Sequence, residues 1–147
     1  MKRLFFIAIL LVAFGFTGFT PFILLTKSGN EITNSASAND LLSAAFKNHQ
    51  SDVQVQGKGR VVKILPDDTK GSKHQRFILK MASGQTVLVA HNIDLSDRVA
   101  GLRVGDTVAF YGEYEWNAKG GVLHWTHRDP RGRHIDGWLK HKEVTYE

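Results

Sequence analysis

From Val53 onward the chain is a succession of short stretches in which apolar and polar residues alternate, each closed within a few residues by glycine, proline, asparagine or aspartate. A period of two puts every second side chain on one face of an extended strand, whereas a helix would scatter the same residues around its circumference. A chain patterned in this way has to build sheet. The first predicted strand covers 53–65, with Val53, Val55, Val61, Val62, Ile64 and Leu65 as its apolar residues and Gly57 and Gly59 permitting a bend or bulge. Pro66-Asp67-Asp68 with Gly71 breaks it, the two carboxylates capping the turn. A second strand over 75–81 turns at Ser83-Gly84 and returns as a third over 85–91. A polar connection over 92–101 leaves room for a helical turn. A fourth strand is predicted over 107–116, a hairpin loop over 117–121, a fifth strand over 122–127, and a small terminal hairpin within 138–146.

Ahead of these strands, Asn39 or Asp40 can cap a short helix in which Leu41, Leu42, Ala45 and Phe46 recur at one-turn spacing. Five short antiparallel strands, a long glycine-bent first strand and a helical segment between strands three and four predict a mainly β domain. The expected architecture is a small OB-like Greek-key barrel. Arg103 to Val108, leading into Tyr111-Gly112-Glu113-Tyr114, resembles the entry from the third to the fourth strand in such barrels. Tyr111 and Tyr114 fall on opposite faces, so at most one of them faces the core.

The N-terminus carries a different signal. Lys2 and Arg3 precede an uncharged, mostly apolar run over 4–26, 23 residues long. A helix of about 20 residues crosses a ~30 Å hydrocarbon layer, and an ordinary signal peptide has only ~7–15 apolar residues. The run therefore reads as an apolar N-terminal membrane helix, a signal anchor over 1–26 whose partner is the inner membrane. A Ser/Asn/Thr/Ala-rich linker over 27–38 and a single domain over 39–147 follow it. The alternative is an exported chain cleaved after Ala38, where Ala36-Ser37-Ala38 offers an A-x-A site. Lys2 and Arg3 hold the N-terminus in the cytoplasm in either case, so the domain is expected in the periplasm.

The formal charge of the whole chain is +5, with 19 Lys+Arg against 14 Asp+Glu. That bias is too small to demand a nucleic-acid partner by itself. With no cysteine there is no disulfide staple, no thiol nucleophile and no thiolate metal site. P-loop and G-x-S-x-G motifs are absent too. The chemistry concentrates in His124-Trp125-Thr126-His127-Arg128-Asp129-Pro130-Arg131-Gly132-Arg133-His134, which holds three imidazoles, three guanidiniums, a carboxylate and an indole. Protonation near pH 6 of the four imidazoles between Lys119 and Lys142 would make that stretch strongly cationic.

That run, with Leu65-Pro66-Asp67-Asp68, His74-Gln75-Arg76-Phe77-Ile78-Leu79, Ala90-His91-Asn92-Ile93-Asp94-Leu95 and Phe110 to Asn117, resembles a family of short, uncharacterised bacterial envelope proteins catalogued as a domain of unknown function. The resemblance covers nearly the whole of 39–147. It implies an export signal or anchor followed by one small β domain, and it brings no activity, cofactor or catalytic assignment.

The residues themselves support two kinds of site. Asp129-Pro130-Arg131-Gly132 is a turn signature, and simple pairing across it would set Arg128 against Arg133 and His127 against His134. In that register His127, His134 and Asp129 would form a two-His, one-carboxylate set for a divalent metal ion, the basis of a metal-dependent hydrolase reading. The spacing is weaker than that of established metal motifs, and type I turns fit two-residue hairpins poorly, so the register can slip. The commoner role for such residues is a polar ligand-binding or structural network. In a binding module for an anionic or polar oligomer, nucleic acid or glycan, Arg128, Arg131 and Arg133 would hold anionic groups. Trp125 or Trp138 would stack on rings, with His74, His91 and His124 as further ligand-binding candidates. His74 has the plainer alternative of closing the 67–73 loop, and Trp116, Trp125 and Trp138 that of walling the core. The binding module is the favoured expectation, and an envelope-assembly partner is a third.

Overall fold

Val55, Gly57, Gly59 and Val61 point inward along the first half of β1 (Val53–Asp68), while Gln56, Lys58 and Arg60 face solvent. The alternation read from the sequence is therefore the burial pattern of the strand as far as Val61, whereas Val62 and Ile64 beyond it are exposed. The structure, a computed structural model, describes residues 40–147. The apolar run over 4–26 and the linker over 27–38 lie outside the described residues, and no described helix is long and apolar enough to cross a membrane.

The other strands are β2 (His74–Lys80), β3 (Thr86–Asn92), β4 (Thr107–Glu115), β5 (Val122–His124), β6 (Trp138–His141) and β7 (Val144–Tyr146). They form one seven-stranded sheet in the order β1-β2-β3-β5-β4-β6-β7, with β1 also paired to β4. β1 meets β4 from Val53↔Tyr114 to Arg60↔Thr107 and β2 from Arg60↔Lys80 to Asp68↔His74. The ladder to β2 is interrupted between Val61 and Lys63 and again between Leu65 and Asp68. The irregularities thus fall after the glycines. Gly59 serves a different need, since a Cβ there would meet the side chains of Met81 and Leu79 where β1 crosses the end of β2. β3 and β5 run parallel, and every other pairing is antiparallel.

The inward residues, Phe77, Leu79, Val87, Val89, Val108, Phe110, Tyr114 and Leu123 among them, form one core with Leu42 and Ala45 of a helix over 40–47. Leu42 and Ala45 lie one turn apart on the buried face, whereas Leu41, about 100° further round, is 48% exposed. Tyr114 takes the core place and gives its hydroxyl proton to the Gly120 carbonyl (3.2 Å), while Tyr111 faces outward beside Trp138. Burying one such ring stabilises by roughly 1.5–3 kcal/mol.

The connection over 92–101 holds a single helical turn, with Ser96 N donating to Asn92 O (3.2 Å), as its length leaves room for. Two local expectations change. β5 ends at His124 and not at His127, because Trp125 adopts φ +50° and takes the chain out of the sheet. The Asp129–Gly132 turn does form, with Gly132 N donating to Asp129 O (3.0 Å), but its arms do not pair as a hairpin. The carbonyl of His127 accepts from Gly137 N (2.9 Å) instead of lying opposite His134.

Candidate functional site

One edge of β4 is shared end to end by two strands. Glu113 and Glu115 lie opposite His124 and Val122 of β5, and Tyr111 lies opposite Trp138 of β6. The chain between them, 125–137, leaves and rejoins the same edge, and its ends come together over β4. Glycine makes that approach feasible. A Cβ on Gly112 would lie 2.6 Å from the His124 carbonyl oxygen and 2.8 Å from Thr126 Cγ2, and one on Gly137 would strike the Trp125 and Tyr111 carbonyls.

Inside this loop Asp129 is the organiser. Its Oδ1 accepts from Arg131 N (2.9 Å), and its Oδ2 accepts from Arg133 N (2.7 Å) and His134 N (2.9 Å). The Arg131 amide foremost, then that of Arg133, holds the Asp129 carboxyl below the ordinary aspartate range. Asp136 Oδ1 closes the circle by accepting from Asp129 N (2.8 Å). A carboxylate bound to three amides is a loop cap, with three of its four acceptor positions taken.

The cap positions His134 beside β4. Its ring stacks on Trp125 with centroids 4.1 Å apart and planes 7° from parallel. Nδ1 donates to the Ile135 carbonyl (2.9 Å) and Nε2 to Glu113 Oε2 (2.6 Å). Burial opposes charge on this ring, but the Ile135 carbonyl and the Glu113 carboxylate outweigh it and raise the His134 pKa. Once protonated, the ring lies as a cation against an indole face, a favourable cation–π arrangement. Trp125 holds a left-handed backbone, a costly state for a bulky residue and one that clusters at functional sites. His127 also lies near the indole, with centroids 5.5 Å apart and planes tilted by 40°.

His74, His124, Trp125 and His127, with Ala90, Asn92 and Leu95, line a cavity of about 150 Å³ between the ends of β2, β3 and β5. His74 Nδ1 donates to the Ser72 carbonyl (2.8 Å) and His127 Nδ1 to the Arg128 carbonyl (2.7 Å). In the neutral ring each Nε2 is then left as a lone-pair acceptor. His91, at 0% exposure, packs inside. It sits between Thr126 Oγ1 (2.9 Å from Nδ1) and the Asp97 carbonyl (3.1 Å from Nε2). Burial drives its pKa down to about 4. A neutral His91 therefore donates from Nε2 and accepts the Thr126 hydroxyl at Nδ1. It is a pillar under the cavity and does not face a binding surface.

The sequence-derived candidates thus divide. His74, His124, Trp125 and His127 converge, and His134 joins them through the Trp125 stack. Trp138 is outside this cavity, next to Tyr111. Arg128 pairs with Glu147, whereas Arg131 and Arg133 are exposed and without a carboxylate in salt-bridge reach among the described residues. His127, Asp129 and His134 do not meet as a ligand set. Among the described residues the one group of three His or carboxylate ligand atoms lying within 4.8 Å of one another is Glu113, Glu115 and His124. Their legible signal was simple: two glutamates at a spacing of two share a face of β4. His141, inward on β6 and bonded through Nε2 to Asp106 Oδ2 (2.8 Å), is a further pair that the sequence reading passed over, and it ties β6 to the start of β4.

No curated protein matches the chain. A family model does, over residues 23–147, and its description is "Protein of unknown function (DUF3465)". The resemblance to a domain of unknown function holds across most of the sequence, and the chain belongs to that family.

Proposed function

We propose that this protein is a binding module for an anionic or polar oligomer, nucleic acid or glycan, and that Trp125 is the centre of its binding face. The carrying observation is the strained, part-exposed Trp125, set between His134 and a cavity lined by three imidazoles. An indole held in an unfavourable backbone state offers a rigid stacking platform. Arg131 and Arg133, exposed in the same loop, supply guanidiniums for the ligand's anionic groups. Glu113 and Glu115 repel phosphate from the β4 side, so the anionic groups would run along the loop while a ring reaches Trp125.

The domain behind this face is read as an OB-type Greek-key barrel. That reading is supported by the order β1-β2-β3-β5-β4 with β1 paired to β4 and a parallel β3–β5 contact. Its place is the periplasmic side of the inner membrane, held by residues 4–26. Protease access to a C-terminal tag in spheroplasts, but not in intact cells, tests that placement.

Binding is tested with the full chain in detergent, titrated against labelled single-stranded DNA and an acidic oligosaccharide at several salt concentrations. One of the two should bind at low salt and weaken as salt rises. Trp125→Ala should cost about 1–3 kcal/mol of binding, and Arg131→Ala should lower the salt slope by about one. Failure of both probes to bind at low salt would remove the reading.

A further inference from the structure

The outward face of β4 presents a problem that the binding reading does not solve. Glu113 and Glu115 project to the same side, and each brings a carboxylate oxygen within 4.8 Å of the other and of His124 Nε2. Two carboxylates this close repel unless a cation lies between them, and the His134 ring reaches Glu113 alone. Among the described residues no lysine or arginine reaches either carboxylate; every salt-bridge partner they have is an imidazole.

His124 Nε2 lies 3.3 Å from Glu113 Oε1 and 3.7 Å from Glu115 Oε1, yet it is buried with no hydrogen bond to either. An orphaned buried nitrogen is expensive unless something occupies the space in front of it. The spacing indicates what would fit. A tetrahedral ion with ligands at ~2.0–2.1 Å sets neighbouring ligand atoms about 3.3 Å apart. The two separations here are close to that edge.

We propose that Glu113, Glu115 and His124 form a divalent transition-metal site, with zinc the best-fitting ion. Mixed imidazole and carboxylate donors suit Zn²⁺ or a neighbouring transition ion, whereas Mg²⁺ and Ca²⁺ prefer oxygen alone. All three ligands stand on paired strands, with Glu113 directly across from His124 and Glu115 two residues along, so the set is preorganised. His134 is the orienting neighbour. It donates to the second oxygen of Glu113 (2.6 Å) and is itself fixed by the Ile135 carbonyl and the Trp125 face, leaving Oε1 to the metal. Three protein ligands leave a fourth position open, and His124 also lines the cavity beside Trp125. The site does not depend on oligomer binding, because metal uptake is read with no other ligand present.

The test uses the full chain in detergent, stripped with chelator, dialysed and titrated with Zn²⁺ by calorimetry, with metal content measured after gel filtration. One equivalent should bind, and Co²⁺ in its place should show the intense visible bands of a four-coordinate ion. Glu115→Gln and His124→Gln should each weaken Zn²⁺ at least tenfold and abolish those bands, with the apo melting temperature kept within a few degrees. His134→Gln should weaken binding about tenfold with the bands shifted but present. His49→Gln, altering the imidazole that lies against Trp116, should change nothing. The proposal is overturned if the wild type takes up no stoichiometric Zn²⁺. It is equally overturned if Glu115→Gln and His124→Gln bind as the wild type does, since the ion would then belong to other imidazoles.

Discussion

His91 and Asp129 show how one side chain is committed by its surroundings. His91 keeps a pKa of about 4 against an ordinary 6.5, chiefly because burial disfavours its charged form. The unfolded chain therefore binds a proton that the folded one refuses between those values. Stability from this group is fully present above pH 6.5 and is lost as pH falls through 4, roughly 3 kcal/mol in all. Urea unfolding at pH 7.5 and 4.5 should show that loss, and His91→Gln, though weaker at pH 7.5, should lose distinctly less across the interval. An equal pH loss in the variant would show that other groups carry it. His134 works in the opposite sense: its raised pKa adds stability that is present at low pH and fades as pH rises through that value. Asp129→Ala removes the acceptor of three amides, so exchange at Arg131, Arg133 and His134 should quicken while the core strands keep their protection. The chemical richness of 124–134 was legible in the sequence, and four of its candidates do gather with His74. The role of Asp129 was not, because a carboxylate two residues ahead of an amide can cap a turn or ligate an ion with the same local sequence.

The 124–138 segment depends on two missing side chains. Gly112 and Gly137 let its exit and return pass over β4 at backbone contact, and neither has the positive φ that usually explains a glycine. Gly137→Ala should cost about 1–3 kcal/mol by forcing the Trp125 and Tyr111 carbonyls apart. The drop would appear as a lower melting temperature, accompanied by a changed Trp125 environment in near-UV circular dichroism. An unchanged spectrum and melting point would mean that the loop ends are not pinched. Alternation predicted β2, β3 and β4 to within a residue or so at each end, since each has a buried and an exposed face. It failed at the end of β5, where Trp125 leaves the β region although its residue type favours strand. It failed again around Pro130, where the turn was right and the pairing wrong. A turn fixes four residues, whereas register is set by what the flanking arms pack against. Here the arms pack on β4 and not on each other.

Across the whole domain the strands other than β1 are short, but the pairings are long-range, with β1 meeting β4 and β3 meeting β5. Such a sheet has no element that can bury its apolar face alone, so order should be gained or lost as a unit. The sequence revealed the strand set because period-two burial needs only local information. It could not reveal that Glu113, His124 and His134 meet, because that follows from β5 and the loop both docking on one edge of β4. Phe110 is the sharpest probe of this unity: it is fully buried on β4, paired to Gly57 on one side and Leu139 on the other. Phe110→Ala should cost about 3–5 kcal/mol through lost burial and the cavity left behind. The loss should register equally at Trp116, Trp125 and Trp138, which lie on the β4 end, the loop and β6. Tryptophan fluorescence and far-UV circular dichroism should therefore trace one shared urea transition, shifted but not split by the substitution. Were fluorescence to change at lower urea than the sheet signal, the segment holding Trp125 would be an independently melting unit. The proposed metal site, with two ligands on β4 and one on β5, would then lose its orienting histidine, His134, before the sheet itself unfolds.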